Sequence, residues 1–396
     1  MAKYRSEAEE QVADLLLTAK EALGLSVAFM TRLDATSQHF EVVESSVPFP
    51  FEEGATQPRE TSFCQMVLDE RLPAVIPDVT AFPVAMDLPG ARLPGARSFV
   101  SVPVVLSDGT LYGTFCAAGL TSDPGVADRD KALMAVLAHA ASVIIEPGVR
   151  AQAKRHELEE QFAPVLAGGG PAVVFQPIVD LATGARAGAE ALSRFPREWG
   201  KAPDVCFAEA HSIGQGHRLE LLALERAAEY LPRFSGYVAL NVSPATLLTP
   251  ECTALLERLP LDRVLLELSE HDPVGDYDAL GAVLAPLRAG GMRLAIDDVG
   301  AGFSSLRHIV LTTPDVIKLD RSIVDGVSTD PVLTTLVRSL VDFGRGLDAG
   351  VVAEGVESGV DATALLALGV DYGQGWHFGR PGAAGDLADR YPAAAA

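Results

Sequence analysis

The chain has 396 residues, 48% hydrophobic and 21% charged, with a formal net charge of −22. At roughly 150 residues per domain this length predicts two or three domains, each able to bury a core without staples. Acidic residues exceed basic ones by nine up to Arg150 and by thirteen beyond it. The negative field is therefore spread along the chain and argues against duplex DNA or an anionic membrane as a direct partner. An anionic substrate would need metal cations to reach its site.

The N-terminal stretch MAKYRSEAEEQVADLL is too acidic and too amphipathic for a signal peptide. The longest nearly apolar run, Leu133 to Ile145, is too short to span a bilayer. Cys64, Cys116, Cys206 and Cys252 lie far apart with no CxxC pair, so small buried thiols are expected rather than a disulfide framework or a zinc site. Together these features predict a cytoplasmic protein.

Taken in chain order, the front opens with an amphipathic helix from Ser6 to Leu23, whose apolar residues recur at helical spacing. Strand-like runs follow: LSVAFMTRLD, HFEVVESS, SFVSVPVVL and LYGTFCAAG. Asp108-Gly109 between the last two is a strong hairpin signal. The segment TSFCQMVLDERLPAVIPDV reads as a short helix, a turn and a strand, and DRDKALMAVLAHAASVII as a closing amphipathic helix. Residues 1–148 are therefore expected to form one α+β domain with an antiparallel sheet. His139, on the apolar face of the closing helix, is expected in the core or at a dimer interface. Pro147-Gly148 should break that helix. A charged linker helix is expected over residues 149–170, ending at Gly168-Gly169-Gly170.

Beyond it, apolar strand-like runs alternate with helical segments: AVVFQPIV, AGAEALSRF, YVALNVS, VLLELSE, RLAIDDV, DVIKLD, GVVAEGV and VDYGQGW. Eight strands interleaved with helices predict a (β/α)8 barrel over residues 171–390. In such a barrel chemistry sits at the carboxyl ends of the strands, and here those ends carry Glu190, Asn241, Glu267, Asp297 with Asp298, Lys318, Glu354 and Gln374. Glu190, Asn241, Glu267 and Asp297 offer only oxygen ligands, which suit magnesium or manganese rather than zinc. Adjacent strand residues point to opposite faces, so Asp297 and Asp298 can share a site only where the strand ends. Two neighbouring carboxylates can hold two cations, one of them bridging, the arrangement used for in-line attack of water on a phosphodiester.

Lys318 is the only lysine after Lys201. Ending an apolar strand, it is expected to be buried, and burial beside metals would depress its pKa and suit it to orient water or act as a base. The plain alternative is an ion pair that balances charge. A Schiff-base lysine in an aldolase-like barrel is a further reading, which the surrounding carboxylates disfavour.

These motifs resemble the EAL family of cyclic dinucleotide phosphodiesterases. The matching stretches are FQPIVDLATGARAGAEALSRF, NVSP, LELSEH, DDVGAGFSSLRHI, PDVIKLDRSIV, VVAEGVES and GQGWHFGRP, covering residues 171 to 381 in order and spacing. The resemblance implies a barrel that cleaves cyclic di-GMP to linear pGpG with two Mg2+ or Mn2+ ions. It implies that Glu190, Asn241, Glu267 and Asp297 ligate the first metal. Asp297 would bridge to a second held near Asp298, with Glu354 close by. Lys318 would orient or deprotonate the attacking water, and Glu270 would pin the Asp-Asp loop. Arg194 and Gln374 would position substrate, with Gln176 also a candidate for the pocket. The chain departs from the family's common loop at Val299, Ala301 and Phe303, which lose two hydroxyls and one aromatic ring, and at Phe195, where tryptophan is usual. The departures bear on rate and regulation more than on reaction type.

The front resembles a GAF sensory domain through SFCQMVLDERLPAVIPDV and SVPVVLSDGTLYGTFCAAG. That resemblance implies the fold and leaves open a small-molecule ligand or none. The expectation is a GAF-regulated cyclic di-GMP phosphodiesterase that pairs as a homodimer. The alternative is a catalytically silent receptor that binds the dinucleotide and signals to a protein partner.

Overall fold

The computed structural model describes residues 5–49, 51–91, 95–269, 273–300 and 305–390. It divides into two compact units, Met1–Lys154 and Arg155–Ala396.

The first unit opens with helix Glu7–Leu23. The Ser6 hydroxyl accepts from the Glu9 N–H while the Glu9 carboxylate accepts from the Ser6 N–H at 2.7 Å, so two otherwise orphaned donors are satisfied reciprocally. Six strands follow: β1 (Val27–Leu33), β2 (Ser37–Ser45), β3 (Thr56–Pro58), β4 (Val75–Ile76), β5 (Ser98–Val105) and β6 (Leu111–Gly119). They form one antiparallel sheet in the order β3-β2-β1-β6-β5-β4. Between β5 and β6 the expected turn is present, with Gly109 at φ 86° and the Thr110 N–H donating to Asp108 Oδ1 at 2.8 Å.

Alternation along each strand gives the sheet two separate cores. One face packs Met30, Val42, Val102 and Phe115 against Val12 and Leu16 of the first helix and against Met134, Ala138 and Ala141. The other holds Phe29, Phe40, Phe63 and Phe99 with Cys64 and Cys116. All four cysteines are free and buried.

Two expectations for the closing helix are corrected. Pro147 does not break it: one helix runs Asp128–Ala167. A proline removes one bond from the ladder and crowds the carbonyl four residues back, but here that residue, Val143, is 60% exposed. Water can reach its neighbourhood, so the helix tolerates the loss. By length and composition this helix could cross a membrane, unlike the shorter run ending at Ile145; Met134, Ala138 and Ala141 nevertheless pack into the sheet's core. His139 lies exposed rather than in that core.

The second unit is a closed barrel of β7 (Ala172–Asp180), β8 (Arg186–Arg194), β9 (Tyr237–Asn241), β10 (Val264–Ser269), β11 (Arg293–Val299), β12 (Val316–Leu319), β13 (Gly350–Ala353) and β14 (Tyr372–Gln374). All eight expected strands are present. Strands β8 to β14 run parallel to their neighbours in sequence, with helices between them. Strand β7 departs from the regular pattern, being antiparallel to both β14 and β8. Parallel strands need a crossover of a dozen or more residues, whereas an antiparallel pair can be joined by a short turn. Only Leu181–Ala185 separates β7 from β8. Asp180 Oδ1 closes that turn by accepting from the N–H groups of Ala182 and Thr183 at 3.0 and 2.8 Å, and Gly184 supplies a φ of 71°.

Candidate active site

Ala239, Leu265, Ala295, Val316 and Val352 point into the barrel and plug it. Side chains on a strand repeat their direction every second residue. Two positions further along each chain come Asn241, Glu267, Asp297, Lys318 and Glu354. The polar cluster is thus the next layer above an apolar plug, assembled by strand periodicity alone. Glu190 joins it from β8, in register with Ala239 and with Gln176 of the antiparallel β7.

Lys318 is fully buried at the centre. Its Nζ lies 2.6 Å from Glu354 Oε1, 2.9 Å from Glu267 Oε2, 3.1 Å from Asp297 Oδ1 and 3.7 Å from Glu190 Oε2. Glu190 accepts hydrogen bonds from Asn241 Nδ2 at 2.8 Å and Gln374 Nε2 at 2.6 Å, and Gln374 Nε2 also donates to Gln176 Oε1 at 3.1 Å. Glu267 is 1% exposed, and its Oε1 has no hydrogen-bond partner among the described residues. An unpaired buried carboxylate oxygen is costly unless a cation or donor meets it.

Asp297 and Asp298 both reach the cluster because β11 is irregular at its end. Its pairing with β12 shifts register between Ile296 and Val299, and Asp298 sits at φ 61°. The left-handed region costs an L-residue about 1–2 kcal/mol, and aspartate is among the types that enter it. The result is two groups of carboxylates, Glu190–Glu267–Asp297 and Asp297–Asp298–Glu354, each with ligand atoms within 4.8 Å of one another. Asp297 belongs to both.

Electrostatics follow from four carboxylates around one ammonium. Burial pushes the Glu267, Asp297 and Glu354 carboxyls above the usual carboxylate range, against the opposing charge of Lys318. Burial also raises Glu190, but Lys318 and the hydrogen bonds from Gln374 and Asn241 outweigh it and hold that group low. The depressed pKa expected of Lys318 is one beside bound metals; the carboxylates by themselves act the other way. Burial lowers the pKa, yet Asp297, Glu190, Glu267 and Glu354 together hold its ammonium well above the usual lysine value.

Arg194, at the end of β8, lines a cavity of about 610 Å3 together with Asn241, Glu267 and Asp298. Gln176, Glu190, Asp297, Glu354 and Gln374 line a second, of about 290 Å3. The cluster thus stands between two recesses. Glu270, Ala301 and Phe303 lie outside the described residues.

Residues 157–381 match the EAL domain model, more than half of the chain. The chain belongs to the EAL-domain family. Residues 6–146 match the GAF domain model. An uncharacterised protein of Mycobacterium tuberculosis H37Rv is 31% identical over 245 residues, 57% of this chain and 80% of that protein. The probable cyclic di-GMP phosphodiesterase PdeB of Escherichia coli K12 is 28% identical over 221 residues, 52% of this chain. The chain spans 42% of PdeB and 32% of a 31%-identical uncharacterised protein of Azorhizobium caulinodans. Among solved structures, the PaMucR phosphodiesterase in complex with c-di-GMP is 27% identical with a TM-score of 0.52, covering 58% of this chain and 99% of that one.

Two residues of the EAL barrel's mouth escaped the sequence reading. Trp376, 52% exposed, and Arg321 line the smaller recess. Trp376 carries the Arg380 guanidinium 4.0 Å from its ring centre, and Arg321 pairs with Glu357 at 3.0 Å. Both stand within matched motifs, GQGWHFGRP and PDVIKLDRSIV, but no periodicity distinguishes them from ordinary surface residues.

Proposed function

We propose that the barrel hydrolyses a phosphodiester bond of cyclic di-GMP to linear pGpG, using two magnesium or manganese ions. The observation that carries this reading is the pair of carboxylate groups sharing Asp297, with Lys318 between them, in a chain of the EAL family. The donors are all oxygen, as hard cations require, and the orphaned Glu267 Oε1 is the mark of a cluster shaped for a cation. Glu190, Asn241, Glu267 and Asp297 would hold one ion, and Asp297 and Asp298, near Glu354, would hold the other. When bound, the cations supply Lewis-acid polarisation of the phosphodiester and a lowered pKa for the attacking water.

The chain's own groups do the rest. Lys318, kept protonated by its carboxylates, orients that water by donating from Nζ, and Glu354 holds the ammonium in place. Arg194 offers its fork to a phosphate, while Gln374 and Gln176 position the substrate. The similarity to PdeB, a probable cyclic di-GMP phosphodiesterase, and to the PaMucR phosphodiesterase in its c-di-GMP complex supports the choice of cyclic di-GMP. The front GAF domain regulates the reaction.

The test is incubation of the full chain with cyclic di-GMP and Mg2+ or Mn2+, beside Glu190→Ala and beside residues 155–396 alone. The full chain is expected to release pGpG, the variant to lose it, and the isolated barrel to differ from the full chain in rate. Tight binding with no product in any form, with either metal, would overturn the reading in favour of a silent receptor. Equal rates from the full chain and the isolated barrel would remove the regulatory part alone.

A further inference from the structure

The front sheet buries two cysteines side by side. Cys64 stands at the start of the helix Phe63–Leu68 and Cys116 in the middle of β6, and their Sγ atoms are 3.3 Å apart. Both are buried, at 2% and 0% exposure. A disulfide needs about 2.05 Å between sulfurs, so the two atoms already stand close to bonding distance.

The surroundings are not those of inert core thiols. Gln38 Nε2 donates to Cys64 Sγ at 3.2 Å. Ser101 Oγ lies 3.2 Å from Cys116 Sγ, and Cys116 Sγ is 3.3 Å from Thr114 Oγ1, which meets Thr31 Oγ1 at 2.8 Å. Three polar side chains, each 1% exposed or less, meet the two sulfurs beside a cluster of phenylalanines, with Thr31 backing Thr114. Alanine or valine would fill that space without needing any of them.

A second observation is independent of these contacts. Cys64 and Gln38 line a cavity of about 50 Å3, and Cys116 does not. A cavity needs about 10–15 Å3 of such space to hold one water, so this one admits a molecule the size of hydrogen peroxide.

We propose that Cys64 and Cys116 form a site of two-electron oxidation by hydrogen peroxide, closing a reversible disulfide between the helix and β6. Cys64 meets the oxidant. Its sulfur attacks one peroxide oxygen, the O–O bond breaks, and the departing hydroxide leaves as water with the thiol proton. Cys116 Sγ then attacks the Cys64 sulfenic acid, the S–S bond forms, and the hydroxyl leaves with the second thiol proton as water. Two thiols lose two electrons and one peroxide gains them. The order of events agrees with acidity, since the thiolate is the nucleophile. The hydrogen bond from Cys116 pulls the Cys64 thiol below its usual value against the effect of burial, while burial raises Cys116 well above it. Cys206 and Cys252 serve as internal controls: burial raises the first and pushes the second up to about 12.

The experiment treats the full chain with stoichiometric hydrogen peroxide, blocks the remaining thiols and maps peptides by mass spectrometry. The expected result is a linked Cys64–Cys116 peptide pair that dithiothreitol releases, with Cys206 and Cys252 still reduced. In Cys116→Ser the sulfenic acid should accumulate on Cys64, read as one added oxygen on its peptide and captured by dimedone added together with denaturant, and in Cys64→Ser the remaining Cys116 should stay reduced at the same dose. Oxidation spread evenly over all four cysteines, or none at Cys64 and Cys116 in the unmutated chain, would overturn the proposal whatever the variants do.

Discussion

At the scale of single residues, Lys318 carries the most consequence. Its singularity was legible in the sequence, because no other lysine follows Lys201. Its charge state was not, because the sign of the shift depends on how many carboxylates crowd one nitrogen, and four lie within 3.7 Å. Lys318→Ala should lower turnover about 10²–10⁴-fold, the usual range for a group that handles a proton or a water in the transition state. Binding of cyclic di-GMP measured by calorimetry should persist; its loss would make Lys318 a substrate-holding group instead. The carboxyls that burial holds high lead to a pH prediction. Glu267, Asp297 and Glu354 must be deprotonated to take a cation. Affinity for Mg2+ or Mn2+ should therefore rise as pH rises through their elevated pKa values and fall as pH drops below them. Calorimetric titrations in buffers of different ionisation heat should report proton release on binding, and a buffer-independent heat would contradict the prediction.

At the scale of elements, strand periodicity was fully legible and strand direction was not. The stretch VDLATGARA ends one strand and starts the next too soon for a crossover, so β7 reverses and β7–β8 is a hairpin. The signal was present as Asp180 and Gly184, turn residues within five positions of each other. The same lesson applies at Asp297-Asp298. Both carboxylates were expected at the strand's end, but the left-handed Asp298 that turns them to one side is a product of barrel closure. Pro147 shows the converse: a local rule overridden where the residue it crowds, Val143, stands exposed to water. Pro147→Ala restores one backbone donor and relieves the ring's crowding in Asp128–Ala167. An interior proline costs a helix about 3 kcal/mol, so denaturant unfolding should show a gain of up to about that size. An unchanged or lowered midpoint would mean that the helix is already adapted to the proline.

At the scale of the whole molecule, the acidity that excluded polyanions has a local counterpart. Five carboxylates gather in the barrel mouth, four of them around one ammonium, which makes divalent ions the natural complement of the site. The homodimer expected from sequence is a proposal with its own observation. Leu133, Val136 and Val143 stand 36%, 67% and 60% exposed at helical spacing on Asp128–Ala167. A second copy of the chain would bury this stripe. Sedimentation at micromolar concentration should give a dimer, and Val136→Glu with Val143→Glu should give a monomer; a monomeric unmutated chain would refute it.

The sequence by itself determined the two kinds of sheet, the eight barrel strands, their polar ends and the EAL and GAF resemblances. All of these are written in spacing and residue type, which a strand or helix converts directly into a face. Only the tertiary structure decided the rest. The reversal of β7, the left-handed turn at Asp298, the crowding of four carboxylates around Lys318 and the contact of Cys64 with Cys116 each depend on residues far apart in the chain. Distance, burial and the sum of neighbouring charges exist only once the barrel and the sheet have closed.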